Sequence, residues 1–68
     1  MNTQNLKIKT DRINLNYFVI ENENGEFLKN ETGKVHYFST YNSADDVRLV
    51  LTGKRIVGEK VIKSIFKF

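Results

Sequence analysis

The chain has 68 residues, a net charge of +3, one histidine and no cysteine. A chain this short buries only about 60% of the surface that its unfolded form exposes, so we expect one small domain without a deep catalytic cleft. Without cysteine, disulfides and thiolate metal sites are excluded, and a single imidazole excludes a two-histidine zinc site.

Motifs for catalysis and targeting are missing from the printed sequence. The four glycines are scattered singly, which predicts no phosphate-binding loop, and the serines lack the flanking glycines of a nucleophile elbow. We therefore expect a protein that is not an enzyme and holds no cofactor, with His36 at the solvent edge of a strand. No apolar run approaches the roughly 18 residues of a membrane helix, and residues 1–7 lack the apolar stretch of a secretory signal. We expect a cytoplasmic location and no membrane partner.

The first predicted element is a strand. We expect residues 1–12 to form a flexible tail or an edge strand, and residues 13–68 to form a single domain. Residues 13–20 alternate apolar with polar side chains and then become apolar on both faces, as in a strand that passes from an exposed edge to a covered centre.

A hairpin follows, because Asn24 and Gly25 tolerate the positive φ angles of a tight turn. Two registers remain open at this stage. A two-residue turn places Phe27 on the face of Phe18, whereas a turn with Gly25 in a bulge places Leu28 there.

A second turn at residues 30–33 leads into residues 34–40, which are rich in β-branched and aromatic side chains. These residues are predicted to form the third strand of an antiparallel meander.

The next segment is read as a short helix over residues 44–52. Ser43 is the expected N-cap and Gly53 the expected stop. Its core stripe is predicted to be Ala44, Val47, Val50 and Leu51, which leaves Leu49 exposed as a candidate contact residue. Residues 47–52 also alternate as a strand does, and that alternative predicts a small all-β barrel with Leu49 in the core.

Residues 56–68 are predicted to form one strand interrupted at Gly58, or two short strands. The expected fold is therefore α+β, an antiparallel β-meander with one short helix in the order β-β-β-α-β(β). Ile65, Phe66 and Phe68 would then be apolar on both faces of the last strand, which calls for a partner or a homodimer to cover one of them.

Charge is distributed unevenly along the chain. Residues 21–46 carry six acids against two lysines, whereas residues 47–68 carry six cations against one acid. Tyrosines are enriched in interfaces, and cations on a strand suit the phosphates of a nucleic acid. The candidate partner-binding residues are Tyr17, Tyr37, Tyr41, Leu49, Lys54, Arg55, Lys63 and Lys67.

Two stretches resemble a class of small proteins. Residues 17–29 and 38–44 are similar to accessory proteins of phages and mobile elements of low-GC Gram-positive bacteria, which run strand, Asn-Gly turn, strand and then a Phe-x-Thr step into a helix. The resemblance implies non-enzymatic work of the host-takeover or anti-defence type, such as that of anti-CRISPR proteins. It also implies a host protein or nucleoprotein complex as the partner.

The expected function is therefore binding that occludes a surface of a host macromolecule. A small basic nucleic-acid-binding module is the first alternative, because the C-terminal lysines suit phosphates and Tyr37, Tyr41 or Phe66 suit stacking on bases. A self-associating structural protein is the second.

Overall fold

The computed structural model describes residues 5–68. Strands β1 (Lys7–Thr10) and β2 (Phe18–Glu21) pair antiparallel, and helices α1 (Tyr41–Leu51) and α2 (Glu59–Ile65) follow them. The chain thus has an α+β fold with a small antiparallel sheet, as predicted. Of the predicted N-terminal segment, residues 7–10 form an edge strand, and residues 1–4 lie outside the described residues.

The loop between β1 and β2 shortens the strand that was predicted to begin at residue 13. The Asp11 carboxylate accepts the backbone N–H of Asn14 at 2.8 Å, and the Asn14 carbonyl accepts the N–H of Tyr17 at 3.1 Å. Such local hydrogen bonds compete with strand pairing. As a result β2 begins only at Phe18, and Ile13 lies in the loop.

Both hairpin turns use one local pattern. Residues 22–26 and 30–34 share the sequence Asn-Glu-x-Gly followed by a charged residue, eight positions apart. The Asn22 side-chain oxygen accepts the N–H groups of Asn24 and Glu26 at 3.0 and 2.9 Å. Asn30 makes the equivalent bonds to residues 32 and 34, so each hairpin is closed by its own asparagine.

The first hairpin adopts the bulge register. Gly25 has a φ of 82°, the left-handed conformation that favours glycine, and the Asn22 N–H donates to the Glu26 carbonyl at 2.9 Å. The Leu28 N–H then donates to the Ile20 carbonyl at 2.8 Å. Leu28 therefore lies on the core face beside Ile20, and the two-residue alternative is wrong.

The predicted third strand is reduced to isolated bridges. Val35 pairs with Lys29, and Phe38 pairs with Phe18. Phe18 and Phe38 exchange both backbone hydrogen bonds, each at 2.8 Å. Val35 and Lys29 join the third predicted strand to the second, as in a meander, whereas Phe38 and Phe18 join the third to the first. The predicted meander order is therefore not confirmed, and only β1 and β2 form continuous strands.

Of the two predictions for residues 44–52, the helix is confirmed and the strand of an all-β barrel is wrong. The helix begins at Tyr41, three residues earlier than predicted, because the Thr40 hydroxyl accepts the Ser43 N–H at 3.1 Å. Thr40 is thus the N-cap in place of Ser43.

The predicted stop of α1 is in place. Gly53 has a φ of 79° and donates to the Val50 carbonyl at 3.1 Å, while the Lys54 N–H donates to the Leu49 carbonyl at 2.9 Å. These two bonds form a Schellman motif, which satisfies carbonyls left open at the end of a helix.

One hydrophobic core lies between the sheet and the helices. The predicted stripe is confirmed, because Ala44, Val47 and Val50 are buried and Leu51 packs partly against the core. The sheet contributes the buried side chains of Ile20, Leu28 and Phe38, and Leu6 adds one from the N-terminal side.

The C-terminal segment is a helix where one or two strands were predicted. Ile62, Ile65 and Phe66 follow helical spacing and are half-buried. Only the last residues are extended, where Lys67 and Lys29 exchange backbone hydrogen bonds at 2.7 and 3.0 Å. Phe66 and Phe68 pack against the core, so the predicted apolar strand surface near the C-terminus does not form.

Candidate partner-binding surface

The sheet has an outer face that points away from the core. Side chains alternate along a strand, so the residues next to Phe18, Ile20, Leu28 and Phe38 point to the opposite side. We define the outer face by these alternating residues: Tyr17, Val19, Phe27, Val35 and Tyr37. Helix α1 packs against Ile20 and Leu28 on the core side. Neither helix contributes a residue to the groove that lies over the outer face.

A groove of about 810 Å³ runs over the outer face. Val19 is buried in it, and Phe27 and Val35 are half-buried, so the floor is apolar. The rim is charged. Lys9 forms an ion pair with Glu21, whereas Asp11 and Arg12 line the end of the groove near the β1–β2 loop.

Tyr37 lines this groove, and Tyr17 packs against Tyr37. The rings of Tyr17 and Tyr37 meet edge to face with their centroids 6.2 Å apart, and the two residues remain 40% and 49% exposed. Edge-to-face aromatic pairs are favourable, so each ring holds the other in place. A pre-ordered aromatic pair loses little conformational entropy when a partner covers it.

Two of the eight predicted contact residues, Tyr17 and Tyr37, pack together on the outer face. A second group forms at the end of α1, where the N–H groups of Lys54 and Arg55 donate to the Leu49 carbonyl at 2.9 and 3.2 Å. Tyr41 lies on the core side, where its ring meets Phe18 at 6.0 Å. Leu49 is half-buried on α1, not exposed as predicted.

The four predicted basic contacts are not part of the groove on the outer face. Lys54 and Arg55 follow the end of α1, Lys63 is on α2, and Lys67 pairs across from Lys29. Arg55 and Lys63 form ion pairs with Asp46 and Glu59, at 2.6 and 2.9 Å. None of these four cations lines the groove beside Tyr37.

The largest exposed apolar side chains were not singled out by the sequence reasoning. Ile13 is 96% exposed and Leu15 70% exposed in the β1–β2 loop. Ile56, Val57 and Val61 form a second exposed group at the start of α2. The sequence does contain a signal for the exposure of Ile13, because the neighbouring Asp11, Asn14 and Asn16 favour a turn over a strand.

His36 lies on the core side between two phenylalanine rings, not at the solvent edge as expected. Its ring centroid is 4.6 Å from that of Phe38 and 4.8 Å from that of Phe66. Burial lowers the pKa of His36 below its ordinary value of 6.5, because the charged imidazolium is poorly solvated there.

This environment predicts a pH-dependent stability. In the unfolded chain His36 binds a proton near pH 6.5, whereas in the folded chain it does so only at lower pH. The stability that neutral His36 contributes to the fold is therefore complete above pH 6.5 and is lost as the pH falls below it. We expect His36→Phe to lose less stability than wild type between about pH 7.5 and about pH 5.5. Urea unfolding at both pH values measures this, and an equal loss in the two proteins would contradict it.

Residues 5–68 bring no three histidine, aspartate or glutamate side chains together in a way that would hold a metal ion. In the same residues, neither helix has the length and apolar character needed to cross a membrane. Comparison with protein-family models, with curated proteins and with solved structures finds no match to this chain.

Proposed function

We propose that this chain is a non-enzymatic binding protein that occludes a surface of a larger protein through the outer face of its sheet. The observation that carries the proposal is the exposed pair of Tyr17 and Tyr37 at an open groove with an apolar floor. Tyrosine suits such a role because it supplies apolar area while its hydroxyl stays hydrated.

The charge pattern favours a protein partner over a nucleic acid. At the groove, Lys9 is paired with Glu21, and the carboxylate of Asp11 lies close to Arg12 in the chain. Nucleic-acid binding requires an excess of cations along the phosphates. The C-terminal cations that suggested such binding lie apart from Tyr37, and Phe66 packs on His36.

The resemblance of residues 17–29 and 38–44 to proteins of phages and mobile elements supports a bacterial host protein or nucleoprotein complex as the target. In this proposal the chain works by host takeover or anti-defence inhibition, where covering a surface is sufficient. No catalytic step is needed for such an effect.

Capture of a partner from a lysate of a low-GC Gram-positive bacterium tests the proposal. We expect wild type to retain a stoichiometric protein after nuclease treatment, and Tyr37→Asp to lose it because the substitution places a charge on the apolar groove. Tyr41→Asp is the matched control, since Tyr41 is 52% exposed but lies on the core side of the sheet.

Three results would count against this function. Capture of no partner would contradict binding, and a partner released by nuclease would indicate nucleic acid. A partner lost with Tyr41→Asp but retained with Tyr37→Asp would place the contact on the helical side of the molecule.

A further inference from the structure

Within residues 5–68, the edge of β1 that faces away from β2 is unpaired. Phe18 directs both its N–H and its carbonyl toward Phe38, on the side away from β1. Thr10 lies opposite Phe18 in the antiparallel register. A residue opposite such a position directs its own N–H and carbonyl away from the neighbouring strand. The backbone polar groups of Thr10 therefore point outward.

Ile8 has the same geometry, because it lies opposite Ile20, whose carbonyl accepts the N–H of Leu28. Among residues 5–68, no strand or bridge pairs with this side of β1. The edge thus offers the amides and carbonyls of two alternate residues, 8 and 10. This is the pattern that an added β-strand satisfies.

The side chains of β1 determine which side chains an added strand should carry. Lys7 and Lys9 are exposed on one face. Lys9 pairs with Glu21, and Lys7 forms no ion pair within the described part of the chain. Ile8, on the other face, packs partly against the core. Opposite charges on neighbouring strands stabilise a sheet, so the edge favours acidic side chains near the lysines and apolar side chains near Ile8.

A second copy of the chain fits this edge poorly. In such a dimer β1 would pair antiparallel with β1 of the copy, with the backbone groups of Ile8 and Thr10 bonded across the interface. Two registers satisfy this condition and align three residues of each strand. One places Lys7 opposite Lys9 of the copy, and the other places Lys9 opposite Lys9. Like charges directly opposite each other destabilise a sheet.

We propose that β1 binds an extended segment of a partner protein by strand addition, and that this segment alternates acidic with apolar side chains. The inference rests on the proposed function, because it names the chemistry by which the partner is held. Valines of such a segment that lie opposite Ile8 and Thr10 direct their own N–H groups toward β1.

The test uses the full chain, labelled with ¹⁵N, and two eight-residue peptides of alternating glutamate and valine. One peptide is unmodified, and the other is methylated on its valine backbone nitrogens. We expect the unmodified peptide to shift the amide signals of Lys7–Thr10. It should bind about tenfold more tightly than the methylated one, because methylation removes the donors that face β1.

Protein variants test the same edge from the other side. Thr10→Pro removes an outward N–H and leaves the hydrogen bonds between β1 and β2 in place, as proline does on edge strands. We expect about fivefold weaker binding of the unmodified peptide, and binding equal to wild type for the control Thr10→Val, which keeps the amide. Lys7→Glu should weaken binding of this acidic peptide.

Several outcomes overturn strand addition. They are equal affinity for the methylated peptide, no shifts at Lys7–Thr10, and shifts at β1 that depend on protein concentration without peptide, which would indicate a second copy. In the capture experiment, partner loss with Tyr37→Asp but full retention with Thr10→Pro would overturn strand addition and leave the proposed function standing. Peptide binding at β1 by a chain that captures no partner would contradict the proposed function and leave strand addition standing.

Discussion

Leu28→Ala is expected to lower the free energy of unfolding by about 2–5 kcal/mol. Leu28 is fully buried, its N–H bonds to Ile20, and its carbonyl accepts the N–H of His36 at 2.9 Å. The side chain thus lies where the two hairpins meet the core. A domain of this size has a total stability of about 3–10 kcal/mol, so the variant would be unfolded in a large fraction of molecules.

Leu15→Ala is the matched control for this prediction. The same atoms are removed, but Leu15 is 70% exposed in the β1–β2 loop. Surface substitutions of this kind change stability by about 0.5 kcal/mol or less. Urea unfolding followed by circular dichroism measures both variants. Equal losses would show that Leu28 is not in the core and that the bulge register of the first hairpin is wrong.

Phe66→Asp is expected to lower the free energy of unfolding by about 3 kcal/mol or more. The substitution removes a ring that packs against His36 and places a carboxylate beside Phe38, with centroids 4.8 and 6.0 Å from the native ring. Loss of the apolar contact and partial burial of a charge both lower the free energy of unfolding.

Val61→Asp, on α2 just before Phe66, serves as the control, because Val61 is 60% exposed. We expect a stability close to that of wild type. Thermal unfolding distinguishes the two variants, and sedimentation shows whether either changes the oligomeric state. A Phe66→Asp protein that stays fully folded but dissociates from a dimer would place Phe66 in an interface between copies, as the strand reading of this segment requires.

The existence of α1 was predictable from local signals. Its core stripe and its glycine stop are encoded within a dozen residues, and both were read correctly. The predicted start is wrong because serine ranks above threonine as an N-cap, which favours Ser43 over Thr40 by residue type alone. Which of them caps depends on where the preceding Phe38 pairs, and that is a contact with Phe18 far away in the chain.

The C-terminal segment was misread because two periodicities overlap in it. Val61, Ile62, Ile65 and Phe66 fit short strand runs and also a helical stripe. Seven residues are too few to resolve the difference, and the helix forms because Ile62 and Phe66 reach the core. Packing against the core, rather than local propensity, determines that this segment is a helix and not a strand.

The candidate surface was predicted only in part for a related reason. Tyr17 and Tyr37 are 20 positions apart in sequence, and they meet because β2 and residues 34–38 align through Phe18 and Phe38. The predicted cations were grouped by sequence proximity, but in the fold none of them lines the groove beside Tyr37. Only the pairing of the sheet determines which side chains share a face.

The asparagine-closed turns have a consequence for the order of folding. Each of these hairpins joins residues that are near neighbours in the chain, and contacts of low contact order form quickly. The pairing of Lys29 with Lys67 closes a span of 38 positions instead, at a loss of chain entropy that is greater by about 0.6 kcal/mol for each doubling of the span. During synthesis the two hairpins can therefore form before Lys67 is available, and the pairing of Lys29 with Lys67 follows them.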